Sequence, residues 1–180
     1  MTAVARTTIA DLYRVTGKAE IVHGEMVLMS PTGGLPGMAS GVIYASLLDH
    51  QRRVGGGYAL PDNVGFIVAL PHRSSVSPDA AFHRGPKPTM KFIEGAPVFA
   101  VEVRSEDDYG PAAEKAMAAK RADYFAAGTE IVWDVDLQGP ETIRAYRAGE
   151  AEPRTYRRGN VADAESAVPG WCFSVEELFT

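Results

Sequence analysis

The segment Val98-Phe99-Ala100-Val101-Glu102-Val103-Arg104 constrains this chain more than any other. Side chains alternate across a strand, and both faces here are apolar until Glu102, which predicts a central strand covered on both sides. A carboxylate in such a strand is costly unless it is paired or binds a cation. Glu102 and Arg104 share a face. One reading is therefore an internal Glu102–Arg104 pair, and the other is a cation site.

The rest of the chain supplies the elements such a strand needs. Thr8 to Val15 reads as a short helix, with Thr7 or Thr8 as its cap. Ala19–His23 and Glu25–Ser30 are extended runs joined by a tight turn at His23-Gly24. Pro31 to Gly37 (PTGGLPG) is a loop by composition, and Met38 to Arg53 a helix stopped by the glycines at 55–57. Strands are expected at Tyr58–Leu60, Asn63–Leu70, Val76–Phe82 and Val98–Arg104. A second long helix runs from Pro111 to Ala127, with Pro111 in its first turn and Gly128 as its C-terminal cap. Thr129–Asp136, Thr142–Arg147 and Arg154–Arg158 follow as strands, and Val175–Phe179 closes as a short helix. This order predicts an α/β (α+β) fold: one domain over residues 1–180, a mixed β-sheet flanked by helices, with an N-terminal β-hairpin.

Charge and composition narrow the function classes. With 18 Lys+Arg against 23 Asp+Glu, the net charge is −5. Such a chain has no bulk cationic surface, so any nucleic-acid contact has to rest on local clusters. No apolar stretch reaches the ~20 residues of a membrane helix, and the N-terminus has no secretory apolar block. The single Cys172 excludes an intrachain disulfide and a multi-cysteine zinc site. These features predict a cytoplasmic protein. There is no GxSxG elbow, Walker loop or HExxH, and His23, His50, His72 and His83 are scattered. Trp133 in IVWDVD reads as a core residue. Asp134 and Asp136 share a strand face, as an auxiliary acidic patch or a solvated strand end.

Two further residues stand out. Asp79 follows Pro78 at the entry of an apolar strand, as a turn aspartate or as the partner of Glu102 in an all-oxygen site suited to Mg²⁺. Ala113, Met117, Lys120 and Tyr124 recur at helical spacing and set Lys120 on an inward stripe. A lysine facing the sheet implies a carboxylate or phosphate partner, unless it snorkels to water at the helix margin.

An acidic PD on one strand, an acidic residue on the next and a nearby lysine resemble the PD-(D/E)XK nuclease superfamily. More narrowly, the ordered set AEIVHGEMVLMSPTGG, SPDAAF, FAVEVRS and KRADYFAAGTEIVWDVD is similar to the bacterial Uma-type restriction endonuclease family, from about Ala19 to Arg147. The resemblance implies a restriction-endonuclease-like fold and a Mg²⁺- or Mn²⁺-dependent endonuclease that hydrolyses DNA. It assigns metal binding to Asp79, Glu102 and the Val103 carbonyl, and catalysis to Asp79, Glu102 and Lys120, the lysine having moved from strand to helix. Two positions depart from the pattern. Leu35-Pro36-Gly37 stands where relatives often carry a histidine, and Arg104 where other nucleases keep their lysine. Arg104 then contacts phosphate or pairs with Glu102, and as a permanent cation it cannot act as a base. The same departures leave a second expectation, a catalytically inactive nuclease-fold interaction module.

DNA contact is expected from Arg84, Lys87 and Lys91 in the loop between the two acidic strands, with Arg144, Arg147, Arg154, Arg157 and Arg158 as the other available cations. One site per chain and two strands per duplex predict a homodimer. The hairpin, with apolar Ile21, Val22, Met26, Val27, Leu28 and Met29, is the expected contact.

Overall fold

Thr8 caps the first helix, α1 (Ile9–Leu12), through a reciprocal box with Asp11. Strands β1 (Ala19–Val22) and β2 (Glu25–Leu28) pair antiparallel. Between them His23 and Gly24 both take positive φ, 54° and 77°, the geometry of a two-residue turn whose twist matches the strands. The computed structural model describes residues 6–180. Its next element, α2 (Gly34–Val54), begins inside the segment expected to be loop. Pro36 sits in the first turn, where backbone N–H groups have no intrahelical acceptor, so it does not interrupt the helix.

Six short strands follow: β3 (Tyr58–Leu60), β4 (Phe66–Ile67), β5 (Ser75–Val76), β6 (Ala80–His83), β7 (Ile93–Glu94) and β8 (Phe99–Val103). Helix α3 (Pro111–Ala126) leads to β9 (Ile131–Val135), β10 (Ile143–Arg147), β11 (Arg154–Tyr156), β12 (Val161–Asp163) and β13 (Cys172–Ser174), and Val175–Phe179 closes as a 3-10 turn. The expected strand at Val76–Phe82 is broken at Ser77-Pro78-Asp79, because Pro78 has no ladder donor. The strand expected at Asn63–Leu70 contracts to Phe66–Ile67, after Asn63 has turned the chain with a φ of 64°. Strands β7, β12 and β13 are too short to leave a period in the sequence.

The main sheet has six strands in the order β11-β10-β9-β8-β6-β3. The pair β8–β9 is parallel and the other neighbours are antiparallel, so this is a mixed sheet. Phe99, Val101 and Val103 on one face of β8 pack with Ala39, Ile43 and Leu47 of α2 and with Trp133, Trp171 and Phe173. Ala100, on the other face, packs with Val132, Phe66 and Tyr124 of α3. Burial of β8 on both faces thus follows from helices on both sides, and Glu102 is on the α3 side with Ala100. Trp133 lies within the first of these cores.

Candidate functional site

Asp79 enters beside the far end of β8. Its N–H donates to the Val101 carbonyl at 2.9 Å, and its Oδ2 accepts from the Val103 N–H at 2.8 Å. Asp79 stands just before β6, and its carboxylate, fixed on the Val103 N–H, is near enough to Glu102 to act on it electrostatically. The N–H and C=O of one strand residue leave the strand on the same side, so the Val103 carbonyl also points to the Asp79 edge.

Both carboxylates are held by cations. Lys120 Nζ donates to Glu102 Oε2 at 2.9 Å and lies 3.1 Å from Glu20 Oε1, while Tyr124 donates to Glu102 Oε1 at 2.6 Å. Lys18 Nζ bridges Asp79 at 2.6 Å and Asp62 at 2.7 Å. Glu20 reaches back to Arg73 at 2.6 Å, and Arg73 to Asp123 at 2.6 Å. The linked group holds the carboxylates of Asp62, Asp79, Glu102, Glu20 and Asp123 against the cations Lys18, Lys120 and Arg73. Apart from the His72 imidazole, 2.7 Å from Asp123, the group sets five carboxylates against three cations, and among the described residues no side-chain cation bonds to both Asp79 and Glu102.

The electrostatics follow from this crowding. Burial raises the Glu102 pKa, Lys120 opposes the rise, and the Asp79 and Glu20 carboxylates add to it. Burial disfavours the charge on Lys120, but Glu102 and Glu20 outweigh it and keep the ammonium protonated. Lys18 is likewise penalised by burial and held charged by Asp79 and Glu102. At Glu20, burial is overcome by Lys120 and Arg73, which lower its pKa. Neither lysine is therefore a base at neutral pH.

The site opens into a cleft of about 990 Å³, lined by Lys18, Asp62, Asp79, Glu102 and Lys120 together with the 29–36 and 103–109 segments. Among the described residues, no three His, Cys, Asp or Glu side chains converge as a metal cage. The donor set is two carboxylates, a backbone carbonyl and room for water. That set suits a hard, water-retaining ion such as Mg²⁺ rather than zinc.

Residues 9–176 match the model of the Uma2 family, described as "Putative restriction endonuclease". The chain belongs to this family. No curated protein matches it. The fold is similar to the crystal structure of a putative nuclease belonging to DUF820 from Anabaena variabilis, with a TM-score of 0.75 over 96% of this chain and 97% of that chain, at 15% identity.

Within this Uma2 chain, Asp79, Glu102, Val103 and Lys120 converge. Arg104 does not join them. Its side chain is 1% exposed, donating to both Asp134 carboxylate oxygens at 2.7 and 2.8 Å and pairing with Glu114. Arg104 follows the last residue of β8, where its guanidinium reaches Asp134 on neighbouring β9 and the first turn of α3. This corrects both expectations for Arg104: it neither pairs with Glu102 nor has a donor left for phosphate. Asp134 and Asp136 are buried, not a solvated strand end. Asp136 accepts from Tyr109 and from the N–H groups of Gln138 and Gly139.

Arg84, Lys87 and Lys91 follow β6 at its other end, because Phe82 pairs with Phe99 at the start of β8. Arg84 is paired with Glu130 at 2.8 Å. The structure thus does not bring this loop to the carboxylates. Of the C-terminal arginines, Arg147 pairs with Asp163 at 2.8 Å and Arg158 with Glu176.

Sequence reasoning missed Lys18, Glu20, Asp62 and Arg73. For Glu20 a signal existed, an acidic residue inside the apolar run Ala19-Glu20-Ile21-Val22 that needs the same explanation as Glu102. For Asp62 and Arg73, which lie in loop segments, the sequence carried none.

Two outcomes follow from these contacts. Arg104→Met strands Asp134 without its main partner, and we expect a loss of about 3–5 kcal/mol in urea unfolding; a loss under about 1 kcal/mol would show that Arg121 replaces it. For Glu102, a folded-state pKa above the unfolded one means that its contribution to stability declines as pH rises from the ordinary glutamate value through the raised one. Glu102→Gln removes that dependence, and its urea midpoint at about pH 8 without divalent cations should equal or exceed that of the unsubstituted chain. A clearly lower midpoint would show that the ion pair with Lys120 outweighs burial.

Proposed function

We propose that this Uma2-family chain is a Mg²⁺- or Mn²⁺-dependent endonuclease that hydrolyses DNA phosphodiester bonds. The observation that carries the reading is that Asp79 and Glu102 line one cleft, close enough for one charge to act on the other, with Lys120 at 2.9 Å from Glu102 and more carboxylates than Lys and Arg cations around them. Asp79, Glu102 and the Val103 carbonyl would hold the cation. A divalent ion bound there supplies Lewis-acid polarisation of the phosphate and lowers the pKa of a bound water.

The chain's own residues do the rest. Glu102 holds Lys120 at the cleft wall, and Glu20 fixes the ammonium from the other side. Kept protonated by these neighbours, Lys120 orients a water and stabilises charge on the phosphate oxygens, but takes no proton. Tyr124 anchors the second Glu102 oxygen, so that the carboxylate keeps one orientation.

The test is nicking of supercoiled plasmid in Mg²⁺ or Mn²⁺. Asp79→Ala and Lys120→Met should each lower the rate by about a hundredfold or more. Cleavage that survives Asp79→Ala unchanged would assign the activity elsewhere.

The reading includes a second copy of the chain, for the second strand of the duplex. It is supported by β2, which among the described residues pairs with β1 alone and carries Val27 and Leu28 at 44% and 67% exposure. Sedimentation equilibrium at micromolar concentration should give twice the 19.3 kDa chain mass, reduced by Leu28→Glu without unfolding. A mass of one chain throughout removes the dimer.

A further inference from the structure

The cleft is strongly acidic. Besides Asp62, Asp79 and Glu102 it is lined by Glu106, Asp107 and Asp108, and a phosphodiester entering it needs cations within reach. Among the described residues, its lining cations are Lys18, Arg104 and Lys120. Arg104 is spent on Asp134 and Glu114, with 1% of its side chain exposed. Lys18 and Lys120 remain, at 15% and 20% exposure, one on Asp79 and one on Glu102.

We propose that Lys18 is a second phosphate-contacting residue of the site, opposite Lys120, and that Asp62 keeps it within reach. This rests on the metal-dependent reading above and deepens it. Lys18 sits on Asp79 Oδ1, while Asp79 Oδ2 is committed to the Val103 N–H. A cation drawn between Asp79 and Glu102 therefore competes with the Lys18 ammonium for the same oxygen. Released from Asp79, the ammonium still has Asp62, which lines the same cleft at 39% exposure. An ammonium has three donors, so it can stay on Asp62 and offer the others to a phosphate oxygen. Lys120 is likewise held between two carboxylates, but its second partner, Glu20, is buried at 3% exposure, so Lys120 stays in the cleft wall while Lys18 can turn with Asp62.

A merely structural role, tying the N-terminal segment to the sheet, predicts something different. Loss of a structural ion pair lowers stability and leaves duplex affinity and its salt dependence alone. The proposed role moves two affinities in opposite directions. Lys18→Met removes the competitor for Asp79, so Mn²⁺ should bind the free chain about tenfold more tightly in calorimetry. The same variant should bind a short duplex in Ca²⁺ about tenfold more weakly, with a shallower salt dependence. Lys18→Arg should restore duplex affinity in part, and Lys115→Met on the exposed face of α3 serves as the control that moves neither. Should Lys18→Met fail to fold, Lys18→Gln carries the same comparison.

Mn²⁺ affinity unchanged in a folded Lys18 variant overturns the competition for Asp79. Tighter Mn²⁺ binding with duplex affinity and salt dependence unchanged overturns the phosphate contact. A chain whose Mn²⁺ binding is lost in Asp79→Ala, yet unmoved by Lys18→Met, sinks this role alone. If the unsubstituted chain binds no Mn²⁺, the metal-dependent reading fails and this inference fails with it.

Discussion

The site is organised around one cost, that of a carboxylate at the end of a central strand. Glu102 is the single charged residue in β8, and its neighbours on both sides along the strand, Val101 and Val103, turn to the opposite, fully apolar core. Taking its charge from water is expensive, and partners must come from elements other than β8. Each of them needs support in turn. Lys120 and Tyr124 reach it from α3 because they stand one helical turn apart on the same face. Lys120 is itself half-buried and needs Glu20. Buried Glu20 needs Arg73, and Arg73 needs Asp123, one residue before Tyr124 on α3. The chain of pairs thus closes back on the helix from which it began. Such a ring fixes geometry more than it adds stability, since each buried charge returns about what its own desolvation removes.

What was legible in the sequence is what a period encodes. The strand around Glu102, the helical stripe ending in Lys120 and Tyr124, and the His23-Gly24 turn all leave spacings of two, three or four residues, or a residue type that only one conformation favours. Asp79 was legible through Pro78, which marks where the ladder must stop. Arg104 was misread for a reason of the same kind. Alternation along one strand gives the face of a side chain, but not the neighbour on the next strand, and Asp134 on β9 is the better partner because its two oxygens accept two guanidinium donors at once. Register between β8 and β9, Glu102 opposite Asp134, is a tertiary fact that no local pattern states. The loop residues Asp62 and Arg73 were beyond reach for the same cause, because their partners lie 44 and 50 or more positions away.

Membership of the Uma2 family and the matching fold describe the scaffold, whereas the charge network around Asp79 and Glu102 depends on a small element outside the main sheet. Lys18 and Glu20 both come from the start of the hairpin. The Met29 N–H donates to the Lys18 carbonyl at 3.0 Å, which carries the β1–β2 ladder back past Ala19↔Leu28. Within that ladder Lys18, Glu20 and Val22 alternate onto one face, so Lys18 and Glu20 are delivered together to Asp79 and Lys120. A slip of one residue would turn both outward and present Ala19 and Ile21 to the carboxylates instead.

Two contacts fix that register. The tight turn at His23-Gly24 sets the pairing of β1 with β2, and the buried Ser75 hydroxyl accepts from the Ile21 N–H at 2.9 Å, tying β1 to the segment that holds Arg73. The hairpin is therefore not an appendage to the nuclease-like sheet. It is the arm that brings an anion and a cation to a pair of carboxylates on β8 and beside β6, and its turn geometry is as much a part of the site as the side chains it delivers.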